Sequence, residues 1–331
     1  MNNNIIIKEK EIKNKDEKQK LIKENESINN HNLDNNFIIQ CKLDYHKEWI
    51  YCSTVLKDGR FVTGSLDKSI IIYNNKTFKP DLIIKEHSRP LSCIIQLSSG
   101  VLASCSGDKT IKLYNINGND YKVIQTLAYH SDSVNTIIEL KNKKLVSCSN
   151  DNSIIFYIKD NDKYIKEYSI STNGRSTPII QIKDNEICYL EENSLCFYDL
   201  VERKNTTKIN NIRVSNIYNC LVMMTRDLLL ATGKNKLSII NVNSHNLIRT
   251  INIFDSGQIW CACMLNENTL LTGDENKRII YWKIEDDNLI LISKKENAHR
   301  EWITTLTKIG NGLILSGSFD NFVKIWQIRI N

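Results

Sequence analysis

The sequence repeats itself with a period of about 42 residues, and this repeat limits the possible folds more than any other feature. In four segments an aspartate follows a histidine after 21 residues, and an aromatic residue follows six positions later. The residue four positions before the aspartate is Ser or Thr each time. The four sets are His46, Thr63, Asp67 and Tyr73; His87, Ser104, Asp108 and Tyr114; His130, Ser147, Asp151 and Tyr157; and His299, Ser316, Asp320 and Trp326.

Three weaker copies fill the gap between Asp151 and Asp320. They are found by counting back six residues from the residue that closes each copy. This pairs Tyr198 with Glu192, Ile240 with Lys234 and Trp282 with Asn276. The chain therefore holds seven units, of which the fourth and fifth lack both the histidine and the aspartate.

Each unit has the pattern of four short strands. In the second unit, strands are predicted at 81–84, 91–95, 100–104 and 110–114. These runs are rich in Ile, Leu and other strand-forming residues, and Gly, Asn, Asp and Ser separate them. A period of about 40–45 residues with four strands is typical of a propeller blade. The sequence thus predicts an all-β, seven-bladed β-propeller.

The last unit ends at Ile328 with only its third strand, so its fourth must come from elsewhere. Residues 37–43 precede the first histidine as an extended apolar run. We expect this N-terminal strand to pair with residues 322–328 and close the ring, because closure removes an exposed sheet edge. The propeller is assigned to residues 36–331. Residues 1–35, rich in Asn, Lys and Glu, are predicted to be a disordered segment.

These features resemble the WD-repeat family of β-propellers over about residues 37–331. The histidine, the Ser-x-Asp turn and the closing Trp or Tyr carry the resemblance, as in Ser318-Phe319-Asp320 followed by Trp326. The chain departs from the family where Tyr replaces Trp in units one to four and Ile240 replaces it in unit five. The resemblance implies that the aspartate accepts hydrogen bonds in the tight turn. It also implies that the histidine bridges this aspartate to the Ser or Thr, and that the aromatic residue ends the chain of contacts.

A combination of His, Ser and Asp also supplies the residue types of nucleophilic catalysis. A catalytic set occurs once in a protein, however, whereas this combination recurs at fixed spacing in four units. The recurrence favours a structural role for all sixteen residues, and no catalytic residue is predicted.

Composition, cysteine spacing and short motifs further limit the functions that the sequence predicts. The 44 basic and 38 acidic residues leave a net charge of only +6, which does not imply a nucleic-acid partner. No apolar run is long enough to cross a bilayer. None of the ten cysteines forms a C-x-x-C pair, and Thr232-Gly233-Lys234 lacks the earlier glycine of a phosphate-binding loop. We predict no metal, no cofactor and reduced thiols in a soluble, cytoplasmic protein, with a nuclear location left open.

The resemblance implies that three positions in each unit face the top rim of the propeller: the third and fifth residues after the histidine and the residue before the aspartate. In units six, seven and one, which adjoin in a closed ring, aromatic residues occupy most of these positions. The predicted partner-binding residues are Trp49, Tyr51, Leu66, Trp260, Trp302 and Phe319, flanked by Arg89 and Arg300. The alternative is that the Trp side chains pack between blades. The equivalent positions of units two and three are predicted to form a polar side.

We therefore predict a non-enzymatic interaction scaffold or substrate receptor. It would be monomeric on its own and would bind a peptide or protein segment on its top face, within a multi-subunit complex. One alternative is an RNA-associated protein of a ribonucleoprotein assembly. A second is an enzyme with its site in the central channel.

Overall fold

Seven four-stranded antiparallel sheets make up the computed structural model, which describes residues 36–210, 212, 220–253 and 257–329. The predicted disordered segment, residues 1–35, lies outside the described residues. Each sheet is one blade, and the seven-bladed, all-β architecture confirms the predicted fold class. Among the described residues, no helix is long and apolar enough to span a membrane.

The strands follow one another around the ring in chain order. The N-terminal strand is β1 (Phe37–Leu43). Blade 1 contains β2 (Ile50–Val55), β3 (Phe61–Ser65), β4 (Ile70–Tyr73) and β5 (Pro80–Ile84). Blade 2 contains β6 (Leu91–Gln96), β7 (Leu102–Ser106), β8 (Ile111–Asn117) and β9 (Asp120–Leu127). Blade 3 contains β10 (Val134–Glu139), β11 (Leu145–Ser149), β12 (Ser153–Asp160) and β13 (Lys163–Ser171).

The second half of the ring repeats this order. Blade 4 contains β14 (Ser176–Lys183), β15 (Glu186–Glu191), β16 (Ser194–Asp199) and β17 (Lys204–Ile209). Blade 5 contains β18 (Leu221–Met223), β19 (Leu228–Gly233), β20 (Lys236–Asn241) and β21 (Asn246–Asn252). Blade 6 contains β22 (Ile259–Asn266), β23 (Thr269–Asp274), β24 (Ile279–Glu285) and β25 (Asn288–Lys295). Blade 7 contains β26 (Ile303–Lys308), a 3-10 turn at Gly310–Gly312, β27 (Leu313–Ser318) and β28 (Val323–Ile328), and it is completed by β1.

Burial along the strands follows from the face-to-face packing of neighbouring blades. Every residue of β3, β7 and β11 is buried, because both faces of these second strands are covered by adjacent blades. The outer strand β9 instead alternates between exposed and partly buried residues, since one of its faces meets solvent. The apolar core is accordingly divided among the junctions between blades rather than gathered at one centre.

The ring closes between blade 7 and blade 1. Strand β1 pairs with β28 from Phe37 opposite Ile328 to Leu43 opposite Val323, with an irregularity between Ile39 and Cys41. The first strands of neighbouring blades contact one another all the way around, including β26 with β2. These strands line the central channel. The predicted closure by the N-terminal strand is therefore confirmed.

Two strands predicted for the second unit lie differently in the structure. The strand expected at 81–84 is β5 (Pro80–Ile84), which is the outer strand of blade 1. The second strand of blade 2 was expected at 100–104, but β7 runs from Leu102 to Ser106. Gly100 lies in the preceding turn with a φ of 92°, and its N–H donates a hydrogen bond to the Leu97 carbonyl. This left-handed backbone suits glycine and belongs to the turn, so the strand begins later than the apolar run suggests.

Candidate binding site on the top face

Four chains of hydrogen bonds fix the loops of one face of the propeller, which we call the top face. In the sets headed by His46, His87, His130 and His299, the histidine Nδ1 lies 2.8–3.0 Å from the aspartate carboxylate. The histidine Nε2 lies 2.7 Å from the Ser or Thr hydroxyl in each of the four. That hydroxyl lies 2.7–3.4 Å from the Tyr hydroxyl or the Trp N–H. We call each set a tetrad.

The tetrad of blade 7 shows the direction of these hydrogen bonds. Trp326 Nε1–H can only donate, so Ser316 Oγ accepts from it at 2.7 Å. The Ser316 hydroxyl can then donate to His299 Nε2, which leaves the histidine Nδ1–H to donate to Asp320. Burial lowers the pKa of His299, which favours this neutral ring. Burial acts to raise the pKa of the Asp320 carboxyl group. The hydrogen bond from His299 outweighs this effect and lowers the pKa to about 2.

Each tetrad aspartate also accepts hydrogen bonds from two backbone segments of the top face. The Asp320 carboxylate accepts the backbone N–H groups of Arg300, before the inner strand, and Phe322, after the turn. A further backbone bond joins Phe319 N–H to the Trp302 carbonyl at 3.0 Å. In blade 1 the Leu66 N–H donates to the Trp49 carbonyl in the same way, at 2.8 Å. The tetrads therefore fix the loops that carry the predicted top-face side chains.

The burial of the tetrads is suited to a structural role rather than to catalysis. The Ser and Thr residues whose hydroxyls would have to attack a substrate are 0% exposed: Thr63, Ser104, Ser147 and Ser316. A nucleophile must reach its substrate. All four hydroxyls are instead engaged in the same internal bonds.

Blade 6 replaces the tetrad with a buried ion pair that the sequence reading missed. The Arg278 Nε and Nη2 atoms each lie 2.9 Å from Asp274 Oδ2, and Asp274 is fully buried. Burial raises the pKa of Asp274 to about 6 in spite of this pairing. Trp282 Nε1 still donates to Thr272 Oγ1 at 2.9 Å, as the closing aromatic residue does in blade 7. The signal was an Asp where tetrad units have the turn Ser, with an Arg four residues later.

Five aromatic side chains from blades 6, 7 and 1 form one cluster on the top face. We call it the aromatic patch, and it consists of Trp49, Tyr51, Trp260, Trp302 and Phe319. The Phe319 ring is central: it stacks on Trp49 with centroids 4.1 Å apart and lies 5.4–5.6 Å from the other three rings. Trp260 and Trp302 also contact each other at 5.3 Å. The patch thus depends on ring closure, which brings blade 1 against blade 7.

The patch has a buried and an accessible layer. Trp260 is only 7% exposed and supports the other rings from within, so packing between blades describes this residue well. Trp49 is 40% exposed, while Tyr51, Trp302 and Phe319 are half-buried. Trp49 therefore presents a large apolar surface to solvent, held in place by its stacking on Phe319.

The remaining predicted residues lie at the edges of the patch. Leu66 is half-buried and, together with Tyr51, forms one wall of a cavity of about 400 Å³ on the side of blades 2 and 3. Arg89 lines the same cavity, and Arg300 is exposed beside the blade 7 turn. Polar residues provide much of the cavity wall, including Ser92, Ser133 and Asn135.

Metal chemistry has no visible basis among the residues that the structure describes. No group of three or more His, Cys, Asp or Glu side chains in that part of the chain could hold a metal ion. The ten cysteines are free thiols, and most of them are buried.

A closed ring of seven blades, pinned by recurring His–Asp hydrogen bonds, defines the class of repeat β-propellers. The family model described as WD domain, G-beta repeat matches residues 38–74, 78–115 and 292–327, which contain three of the four tetrads. These three stretches of the propeller therefore match WD repeats, over about a third of the chain. Propellers built from WD repeats are generally protein-interaction scaffolds and are typically non-enzymatic.

A curated relative is similar over a short stretch. An uncharacterized WD repeat-containing protein of Schizosaccharomyces pombe (strain 972 / ATCC 24843) is 32% identical over 84 residues. The match spans 25% of this chain and 16% of that relative.

Proposed function

We propose that this protein is a non-enzymatic docking module that binds a protein or peptide segment through the aromatic patch, as one subunit of a larger assembly. The observation that carries this proposal is the convergence of five aromatic rings from three blades, with Trp49 40% exposed among them. Partly exposed aromatic clusters are where binding energy concentrates in protein interfaces.

The patch is also ordered before any partner arrives. Trp49 is held by its stack on Phe319, and both residues lie in loops fixed by backbone hydrogen bonds and tetrads. A partner therefore does not have to immobilise these side chains. Binding to a preorganised surface costs less conformational entropy, which raises the affinity for a given contact area.

The central channel gives less support to an enzyme. Within the part of the chain that the structure describes, the charged residues of the seven inner strands are Glu139, Lys183 and Lys308, and each is the last residue of its strand. They therefore lie at the rim opposite the top face. General acid–base chemistry in the channel would need ionisable side chains that converge along its length.

Affinity purification of the tagged protein tests the proposed function. The double variant Trp49→Ala/Trp302→Ala removes the accessible rings, and we expect its partners to be depleted about tenfold or more relative to the wild type. Ile83→Ala/Ile124→Ala is the matched control, because these side chains are comparably exposed but lie on outer strands away from the patch. We expect it to keep the wild-type partners. Identical partner sets for all three proteins, at equal melting temperatures, would contradict the proposal.

A further inference from the structure

We propose that the segment bound by the aromatic patch is acidic and carries one large apolar side chain. The apolar side chain lies on the patch, and a neighbouring carboxylate enters the cavity lined by Arg89 and Lys109. This inference rests on the proposed function and adds to it the chemistry of the partner.

The cavity and the patch form one continuous surface. Tyr51 and Leu66 line the cavity, and the Tyr51 ring also lies 5.5 Å from the Phe319 ring. Because Tyr51 belongs to the patch and also lines the cavity, a ligand group in the cavity lies directly beside the patch. An extended peptide can place one side chain in each, because residues i and i+2 of a strand point to the same side and lie about 6.6 Å apart.

Two exposed cations line the cavity without internal partners. Within the described part of the chain, the side chains of Arg89 and Lys109 make no hydrogen bond or ion pair. Other cations of this protein are engaged: Arg60 pairs with Asp58, and Arg278 pairs with Asp274. A guanidinium group offers a planar pair of donors that matches a carboxylate, and this match is the strongest indication of an anionic ligand group.

The rest of the cavity wall fits a carboxylate ligand. Ser92, Ser133, Asn135 and Asn150 contribute neutral polar groups. The one carboxylate of the lining, Asp132, already accepts the backbone N–H of Ser133 at 2.7 Å. Two cations against one carboxylate leave the lining positive.

The loops around the patch also carry more cations than carboxylates. In blades 7, 1 and 2, these loops include the two positions after each tetrad histidine and the position after each tetrad aspartate. The cations at these positions are Arg300, Lys47, Lys68, Arg89 and Lys109, and the carboxylates are Glu48 and Glu301. Glu301 is partly neutralised by Lys277, 3.9 Å away. Such a surface steers an acidic partner towards the patch and disfavours a basic one.

A peptide fits this pattern better than a nucleic acid does. Glu48 and Glu301 lie among the cations, and Asp132 lies in the cavity itself. Binding to a phosphate backbone depends on cations that follow the strand without interruption. A carboxylate that enters one cavity needs only the local pair of Arg89 and Lys109.

Selection from a random peptide library, displayed on phage and presented to the full chain, tests the inference. Peptides that also bind Trp49→Ala/Trp302→Ala are subtracted. We expect the remaining sequences to carry net negative charge and one large apolar residue. Neutral or basic sequences among them would overturn the inference but leave the proposed function standing. If no peptide depends on the two tryptophans, both fail.

The selected peptides, labelled with a fluorophore, then test the cavity directly. The charge reversal Arg89→Glu/Lys109→Glu is expected to weaken their binding by about tenfold or more. Lys122→Glu/Lys163→Glu makes the same change of net charge on exposed outer strands and is expected to bind within about twofold of the wild type. Equal losses in both variants would overturn the inference, as would displacement of the peptides by a uridine oligonucleotide at lower concentration than by the unlabelled peptide.

Discussion

Removal of residues 37–43 is expected to leave a protein that is insoluble or that melts far below the full chain. These residues form β1, which pairs with β28 on its outer side, and Phe37 and Leu43 are buried at its two ends. Burial of each of these side chains contributes roughly 1.5–3 kcal/mol. The deletion would also expose the edge of β28, which can then pair with other chains. Soluble yield and the melting temperature followed by circular dichroism measure the effect, and a deleted chain with the wild-type melting temperature would contradict the closure.

Two point variants test whether the buried side chains of β1 stabilise the ring or whether this strand tolerates no substitution at all. Leu43→Asp places a charge in the buried junction between blades 7 and 1, and we expect it to lower the free energy of unfolding by about 3 kcal/mol or more. Ile39→Asp makes the same kind of change on the same strand, but Ile39 is 49% exposed, so the expected loss is below about 1 kcal/mol. Equal losses for the two variants would contradict the observed packing.

Replacement of any one tetrad histidine by alanine is expected to lower the free energy of unfolding by about 2–4 kcal/mol. The four variants are His46→Ala, His87→Ala, His130→Ala and His299→Ala. Each removes at least two side-chain hydrogen bonds, leaves a buried hydroxyl and an aspartate without their histidine partner, and opens a cavity at a buried position. Urea denaturation measures the losses, which we expect to agree within about 1 kcal/mol because the four sites are equivalent.

The equality of these losses distinguishes structure from catalysis. Arg300→Ala is the matched control, because Arg300 directly follows His299 and uses only its backbone N–H in the tetrad. Its expected effect on stability lies within about 0.5 kcal/mol. A histidine variant that keeps the wild-type stability while it abolishes a chemical activity would contradict the structural role of its tetrad.

The fold could be predicted from the sequence because its main determinants recur. A tetrad needs particular residue types at fixed spacing, and short apolar runs mark the strands between its residues. The four units with a complete tetrad therefore give the unit length, which locates the three weaker units. The closing strand followed from the count of strands in the last unit. The start of β7 could not be read in this way, because an apolar run does not show that Gly100 adopts a left-handed turn conformation.

The candidate site could be predicted only in part. The positions of Trp49, Trp302 and Phe319 were predicted from the resemblance to WD-repeat propellers, but the depth of each ring depends on side chains of the neighbouring blade. Trp260 is consequently buried while Trp49 is exposed. The pair of Asp274 and Arg278 was missed because blade 6 has lost the tetrad by which equivalent positions are recognised. The cavity beside Tyr51 arises from three adjoining blades and has no signature in any single unit.

A double-mutant cycle between Trp49 and Phe319 tests most directly whether ring closure assembles the patch. The two residues come from opposite ends of the propeller sequence, and their rings stack with centroids 4.1 Å apart only because blade 7 meets blade 1. Free energies of unfolding are measured for the wild type, Trp49→Ala, Phe319→Ala and the double variant. We predict a coupling energy of about 0.5–1.5 kcal/mol, as is usual for stacked aromatic pairs. Strictly additive losses would show that the two rings are not in contact, and would contradict both the closure and the patch.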